Sequence, residues 1–493
     1  MRLPVILILI FLTTGLFGQG AEITQEETSD GFDFQMGISA GAVAFDGELY
    51  NQIGIRPLFS FGKLGIALDL SLYLDGNGNI REENWDEPSD IFEKFYFIRW
   101  GKPGDPLYVR VGAIDDYRLG YGLLMNHYSN TVEYPNVIRT GMAFGFDTEQ
   151  MGFEAMVNNF SETFDGGGVV AGRYVGKFIG GIELGLSVAA DINQYKGLKD
   201  NDGDGVPDFA DDFPKNKRLT IDTDGDGIPD GIDPDRDGDG YTDNSQNPAI
   251  ENNDIDGVVL KENPFNINDA EDKTLMAAAV DIGLPIFEAD YLQLILYSQY
   301  AQFLVKDGGW GITAPGVRAK FAFINAFAEY RIFGENFIPE YFNTTYELER
   351  AVLRDSTVFT KRQALLGVTE ALQGYVVGAD FNIADFLIFG AEYQNMAKSD
   401  FEFNTLRGSL DLNSSFIPKI SKAGAYYIQN NVQEIFKKSE GTILGYKLGY
   451  EIGGGAMLVL DFRQTYRDVN GDGKISGSNE TVKTTLIQTA FAF

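Results

Sequence analysis

The chain has 493 residues, a formal net charge of −33 and no cysteine. That length suits several ordinary domains or one large β-barrel, and the acidity argues against nucleic acid as a partner. The missing thiols exclude disulfides, thiol catalysis and cysteine-held zinc or iron–sulfur sites.

Met1-Arg2 leads into an apolar run from Leu3 to Leu16, followed by Gly18-Gln19-Gly20-Ala21. This pattern predicts a secretory signal over residues 1–20, cleaved after Gly20. The run is shorter than the ~20 apolar residues of a spanning helix, and no later segment reaches that length. No cysteine follows it, so a lipoprotein anchor is not expected.

Residues 21–198 carry a period of two. Leu64, Ile66, Leu68, Leu70, Leu72 and Leu74 alternate with Gly65, Ala67, Asp69, Ser71, Tyr73 and Asp75, which predicts a strand with one apolar face. Ile182, Leu184, Leu186 and Val188 alternate in the same way with Glu183, Gly185 and Ser187. A soluble sandwich also alternates. Strands of about ten residues, the length a tilted strand needs to cross a bilayer, favour a transmembrane antiparallel barrel instead.

The segment Asp115–Pro135 is too long for a hairpin tip and too apolar for water, so it is expected to fold into the lumen as a constriction. It holds the only histidine, His127, with Asp115, Asp116 and Ser129 near it in sequence. Imidazole serves as a general base near neutral pH. No base-plus-nucleophile spacing surrounds it, however, so a hydrogen-bonding role is expected and enzyme activity is not.

An acidic insert, residues 199–272, interrupts the strands. From Asp200 to Asp272 there are 22 Asp/Glu against 5 Lys/Arg, a balance of −17 and about half the charge of the chain. Within it D-x-D-x-D-G-x-x-D occurs three times: Asp200, Asp202, Asp204 and Asp208; Asp222, Asp224, Asp226 and Asp230; Asp235, Asp237, Asp239 and Asp243. Carboxylates at alternate positions let a short loop wrap one hard cation, and glycine supplies the turn that brings later oxygens inward. Ca2+ is the expected ion, and the block has too few apolar residues to form a core without it. These copies resemble thrombospondin type 3 repeats in the cysteine-free form of bacterial surface proteins. The resemblance, confined to the insert, implies that neighbouring copies share ligands.

Residues 273–493 return to alternation. Leu387, Phe389, Ala391 and Tyr393 oppose Gly390 and Glu392, and Leu458, Leu460 and Phe462 oppose Asp461 and Arg463. The link Gly334–Leu372 mixes acids, bases and aromatics, with a short helix expected near Gln363–Leu372. Another acidic loop, Asp468, Asn470 and Asp472, resembles the start of an EF-hand, but its twelfth position is Asn479 with Glu480 one residue late. It is a weak calcium site or a polar turn. The chain stops at Phe493, and a final strand ending in an aromatic residue is similar to the assembly signal of Gram-negative outer-membrane β-barrels.

Tight turns at 62–63, 101–105, 147–150, 179–181, 287–290, 382–385 and 451–455 mostly alternate with long links, among them the insert. This predicts an all-β transmembrane antiparallel β-barrel of an even number of strands between 16 and 20, in two parts (21–198 and 273–493), with the calcium-binding insert on the extracellular side. Asp69, Arg110, Arg173, Lys177, Glu183, Asp380, Glu392, Asp461 and Arg463 are expected in the lumen, where mixed charges set ion preference. The expected function is a porin-like channel in the outer membrane, with lipid and small solutes as partners. The alternative is a non-conducting surface barrel whose insert meets a partner in adhesion.

Overall fold

The strands that alternate in sequence pair with their neighbours in chain order. The computed structural model describes residues 32–45, 48–85, 90–238, 260–289, 291–354, 357–384, 386–398, 401–417, 419–453, 456–468, 474–477 and 480–491. The signal segment and Phe493 lie outside these. Twenty-one strand segments form one antiparallel sheet, from Phe32–Phe45 to Thr481–Phe491. Leu64–Leu68 and Leu70–Leu74 are halves of one crossing interrupted at Asp69, since both pair with Glu48–Phe61. Twenty crossings result among the described residues, the upper end of the expected range. The first strand also pairs with the last, Met36 opposite Phe491 and Ala42 opposite Thr485, so the sheet closes on itself.

The two faces of this wall are inverted relative to a water-soluble protein. Ile53 and Ile55 are exposed while Gln52 and Arg56 on either side of them are buried; Leu70 and Leu72 are exposed while Asp69, Ser71 and Tyr73 are buried; Tyr330 and Ile332 are exposed while Glu329 and Arg331 are buried. A soluble sandwich would hide the apolar set, at roughly 1.5–3 kcal/mol for each large side chain. Here that set forms the outer surface, as it does when lipid is the solvent. Phe61, Trp100, Phe178, Tyr291, Phe321 and Phe323 are exposed beside short turns, a position suited to amphipathic rings at a membrane interface.

The tight turns expected at 62–63, 101–105, 147–150 and 179–181 occur at one end of the barrel; of those expected at 287–290, 382–385 and 451–455, residues 287–289, 382–383 and 451–453 belong to strands and residues 290, 385, 454 and 455 lie outside the described residues. Two further turns lie at the same end. One links Trp310–Phe321 to Ile324–Phe333, and one links Phe401–Ile417 to Ile420–Val432. Ala322 (φ 49°) and Lys419 (φ 66°) take the left-handed conformation there. Turns of this kind usually announce themselves with Gly or Asn, which is why neither was visible.

Two long links fold inward. Segment 113–140, which contains the expected Asp115–Pro135, lies within the barrel, and it meets a second inward segment, 334–371. Asn126 N donates to Phe342 O and Phe342 N to Leu124 O, each at 3.1 Å. Leu123, Met125, Tyr128, Phe337, Tyr341, Phe342 and Tyr346 form a buried core with wall residues Phe303 and Phe333. The second segment also carries a hairpin, Ala351–Arg354 with Thr357–Thr360, and a helix, Lys361–Leu366. The helix begins two residues before the expected Gln363 because Thr360 and Gln363 form a capping box, and Leu372 already belongs to the wall.

Proline at Ile487, which pairs with both Ala40 and Leu460, removes a ladder donor at the closing seam. The expected result is loss of the fast-migrating, heat-sensitive form on gels of unboiled protein, with Ile487→Val retaining it.

Candidate functional site: the lumen, its plug and the acidic insert

Alternation delivers every second side chain of the wall to the interior, and the inward loops divide that interior. A cavity of about 1220 Å3 extends from the short-turn residues Lys102, Asp105 and Asp147 to the plug residues Asp116, Arg118 and His127. Six of the nine lumen residues expected from the sequence line it: Arg110, Arg173, Lys177, Glu183, Asp380 and Glu392. The other three lie elsewhere. Asp69 binds Arg56 at 2.8 Å, Asp461 binds Lys447 at 3.2 Å, and Arg463 Nη2 donates to the Tyr134 carbonyl at 3.3 Å.

Most charges in the cavity are paired at close range. Arg173 meets Asp281 at 2.8 Å and Glu154 at 3.3 Å; Lys177 meets Asp147 at 2.6 Å; Arg110 meets Asp115 at 2.8 Å. Among the described residues, Glu183 and Asp380 have no carboxylate–cation contact within 4 Å.

His127 sits on the plug where the cavity ends. Its Nδ1 lies 3.1 Å from Asp116 and its Nε2 3.8 Å from Glu392. Burial opposes the imidazolium, but Asp116 and Glu392 push its pKa up to about 8. Asp116, although burial favours its neutral acid, is held below the usual carboxylate range by His127. Ser129 Oγ is 2.9 Å from Thr131 Oγ1, and Asp115 accepts from Arg110 and Tyr96. Neither is placed on the imidazole.

From His127 a chain of alternating charge runs into the plug. Glu392 meets Arg407 at 2.8 Å, Arg407 meets Glu340 at 2.7 Å, and Arg331 bridges Glu340 at 3.1 Å and Glu329 at 2.7 Å. On the far side Arg350, fully buried, binds Asp191 at 3.1 Å, Glu347 at 3.2 Å and Glu162 at 2.7 Å. The sequence reading missed Glu340, Arg350 and Arg407. Two of these lie in the long link, where no periodicity marks an inward side chain.

The insert repeats its geometry as well as its sequence. In the first copy Asp200 accepts from Gly203 N and Gly205 N, Asp202 from Asp204 N, Asp204 from Val206 N, and Asp208 from Asn201 N. The second copy reproduces each bond: Asp222 accepts from Gly225 N and Gly227 N, Asp224 from Asp226 N, Asp226 from Ile228 N, and Asp230 from Thr223 N. In each copy three carboxylates bring oxygens within 4.8 Å of one another, which suits a cation held at 2.3–2.6 Å by oxygen. Of the third copy Asp235 and Asp237 are described, whereas Asp239 and Asp243 lie outside the described residues, as do Asn470 and Asp472. Asp468 N donates to Glu440 at 3.0 Å.

Each described repeat also gains an acid that the nine-residue pattern omits. Asp211 is 8% exposed, and its Oδ2 is buried without a hydrogen-bond partner. Burial pushes its carboxyl up, with Asp204 and Asp202 adding to the shift. Asp233, at the equivalent place in the second copy, has a buried Oδ2 in the same condition. Extending the pattern by three residues would have found both.

No protein-family model and no curated protein sequence matches the chain. Solved structures similar to it include a variant of OccD1 (OprD), 10% identical over 94% of this chain and 96% of that one, with a TM-score of 0.31. The copper transporter OprC is 9% identical over 95% and 82%, with a TM-score of 0.36. A variant of the Rh. blastica porin is 12% identical over 78% and 98%, with a TM-score of 0.28.

Two outcomes are expected of the plug. Since the folded-state pKa of His127 is about 8 against about 6.5 unfolded, its contribution of about 2 kcal/mol is full below pH 6.5 and lost as pH rises through 8. The stability difference between parent and His127→Gln, read from unfolding in detergent, should therefore shrink across that window. Arg350→Ala leaves Asp191 buried without its cation and Glu347 with Arg139 alone, at about 3–5 kcal/mol. Protease should then cut within 334–371 while the wall stays heat-modifiable.

Proposed function

We propose that the protein is a porin-like channel of a bacterial outer membrane, passing small solutes through a charged, loop-gated lumen and carrying a calcium-stabilised insert outside the cell. The observation that carries this reading is the cavity of about 1220 Å3, stopped by loops rather than by wall strands. A loop can move aside where a closed ladder cannot. Mixed charge on the walls suits hydrated or polar solutes, for which Arg173, Lys177, Glu183 and Asp380 offer ligands of both signs.

The apolar exterior supports a lipid surround, and barrels of this kind keep short turns in the periplasm and long loops outside. That orientation exposes the insert to extracellular calcium, where modules with such loops fill at about 0.1–1 mM. Asp200, Asp202, Asp204, Asp208 and Asp211 would hold one ion, and Asp222, Asp224, Asp226, Asp230 and Asp233 another. The cation would relieve the mutual repulsion of the acids and let the loops keep one form.

Planar bilayers test the passage. The expected result is discrete conductance steps, with Asp380→Asn shifting selectivity toward anions and leaving assembly unchanged. Bilayers that stay silent through many insertions, also after deletion of Asp115–Pro135, would favour a non-conducting surface barrel whose insert serves adhesion.

A further inference from the structure

We propose that calcium in the insert controls the plug: the first repeat and the inward hairpin share one packed joint, so that filling the repeat holds the hairpin in the barrel and emptying it releases the hairpin. This rests on the reading of the insert as calcium-binding and names its regulatory role.

The joint is built from three contacts. Gly205, inside the first repeat, accepts a hydrogen bond on its carbonyl from Ile267 N at 2.8 Å. Ile267 is fully buried against Leu198 and Ala351, and Ala351 is the first residue of the inward hairpin. One residue therefore touches both the calcium loop and the plug. Glycine is required at the turn itself, because Gly205 sits at φ +98°, and the side-chain ends of Asn266 and Asn268 close over the space a Cβ would take.

The second contact is Arg362, on the plug helix, whose Nη1 lies 2.8 Å from Asp272 Oδ1 and donates to the Asp272 carbonyl at 3.0 Å. The third is Gln194, on the incoming stem of the insert, whose Oε1 accepts from Tyr341 Oη at 3.1 Å and from Arg362 N at 3.2 Å. Both stems of the insert are thus fastened to the inward segment.

Calcium enters this joint through charge. Asp200, Asp202 and Asp204 converge within 4.8 Å, and the buried Asp211 adds an oxygen with no hydrogen-bond partner. Unneutralised carboxylates at that range repel. Opening the loop displaces the Gly205 carbonyl, which unseats Ile267 from Ala351. Linkage makes the coupling reciprocal: whatever calcium does for the hairpin, the seated hairpin does for calcium affinity.

The absence of native cysteine allows the test to be made on the full chain in lipid or detergent. Spin labels at Thr357→Cys, on the hairpin, and Glu434→Cys, on the facing rim loop, report plug position, while calorimetry on the same protein reports calcium binding. With calcium one narrow distance is expected; chelator should broaden it and raise trypsin cleavage near Arg354 on the order of tenfold, a typical size for coupled sites. Asp202→Asn with Asp204→Asn should look chelated even in calcium. Arg362→Ala should keep its barrel and bind calcium more weakly, with Arg362→Lys recovering part of the affinity. Calcium heat with distances identical in calcium and chelator would overturn the coupling and leave the calcium reading standing. Calorimetry without heat would overturn both.

Discussion

A chain surrounded by hydrocarbon has no water to satisfy its backbone, so every N–H and C=O in the wall must find a partner within the wall. The pairing of Phe32–Phe45 with Thr481–Phe491 meets that demand. Once the ring is closed, alternation leaves each strand only two places to put side chains. The outer surface takes the apolar set, and the interior receives Arg56, Arg173, Arg331, Glu329, Glu392 and Arg407 together. The polar core is thus a consequence of the closed ladder and not an independent design.

A charged interior creates its own requirement. Buried ions are costly unless paired, and removing one partner costs more than the pair contributes. The inward loops answer this: Glu340 stands between Arg331 and Arg407, and Glu347 between Arg139 and Arg350. Between these two ionic layers lies the aromatic core around Tyr341, Phe342 and Tyr346. The plug therefore meets the wall in two ways, through apolar contacts with Phe303 and Phe333 and through ion pairs such as Glu340 with Arg331 and Arg407. Networks of this type hold firmly when complete and fail together when a member is lost, which favours discrete arrangements over gradual drift.

The wall was legible because its physics has a short period. Leu64 to Leu74, Ile182 to Val188 and Leu387 to Tyr393 declare both strand and face with no tertiary information. The two unforeseen turns are instructive exceptions, since Ala322 and Lys419 adopt a conformation their residue types do not advertise. The plug was half legible. The apolar content of Asp115–Pro135 showed that it belonged inside, yet nothing in Gly334–Leu372 showed that Glu340 would meet Arg331 and Arg407 from two distant strands. Such pairs depend on which strands lie opposite, and that is decided only when the ring closes. In the insert the Asp spacing was clear, whereas Asp211 and Asp233 fell just beyond the pattern searched.

The stems of the insert leave and rejoin the wall at one antiparallel pair, with Asp191 opposite Leu275. Ladder hydrogen bonds fix that pair whatever lies between, and the entropy of closing a loop grows only with the logarithm of its length. Carrying the whole insert instead of a short turn costs the barrel about 3 kcal/mol on that basis. The rim of such a barrel is then a mounting for accessory modules. What a lineage can hang there is limited less by stability than by whether the newcomer's stems fit the loops already seated below.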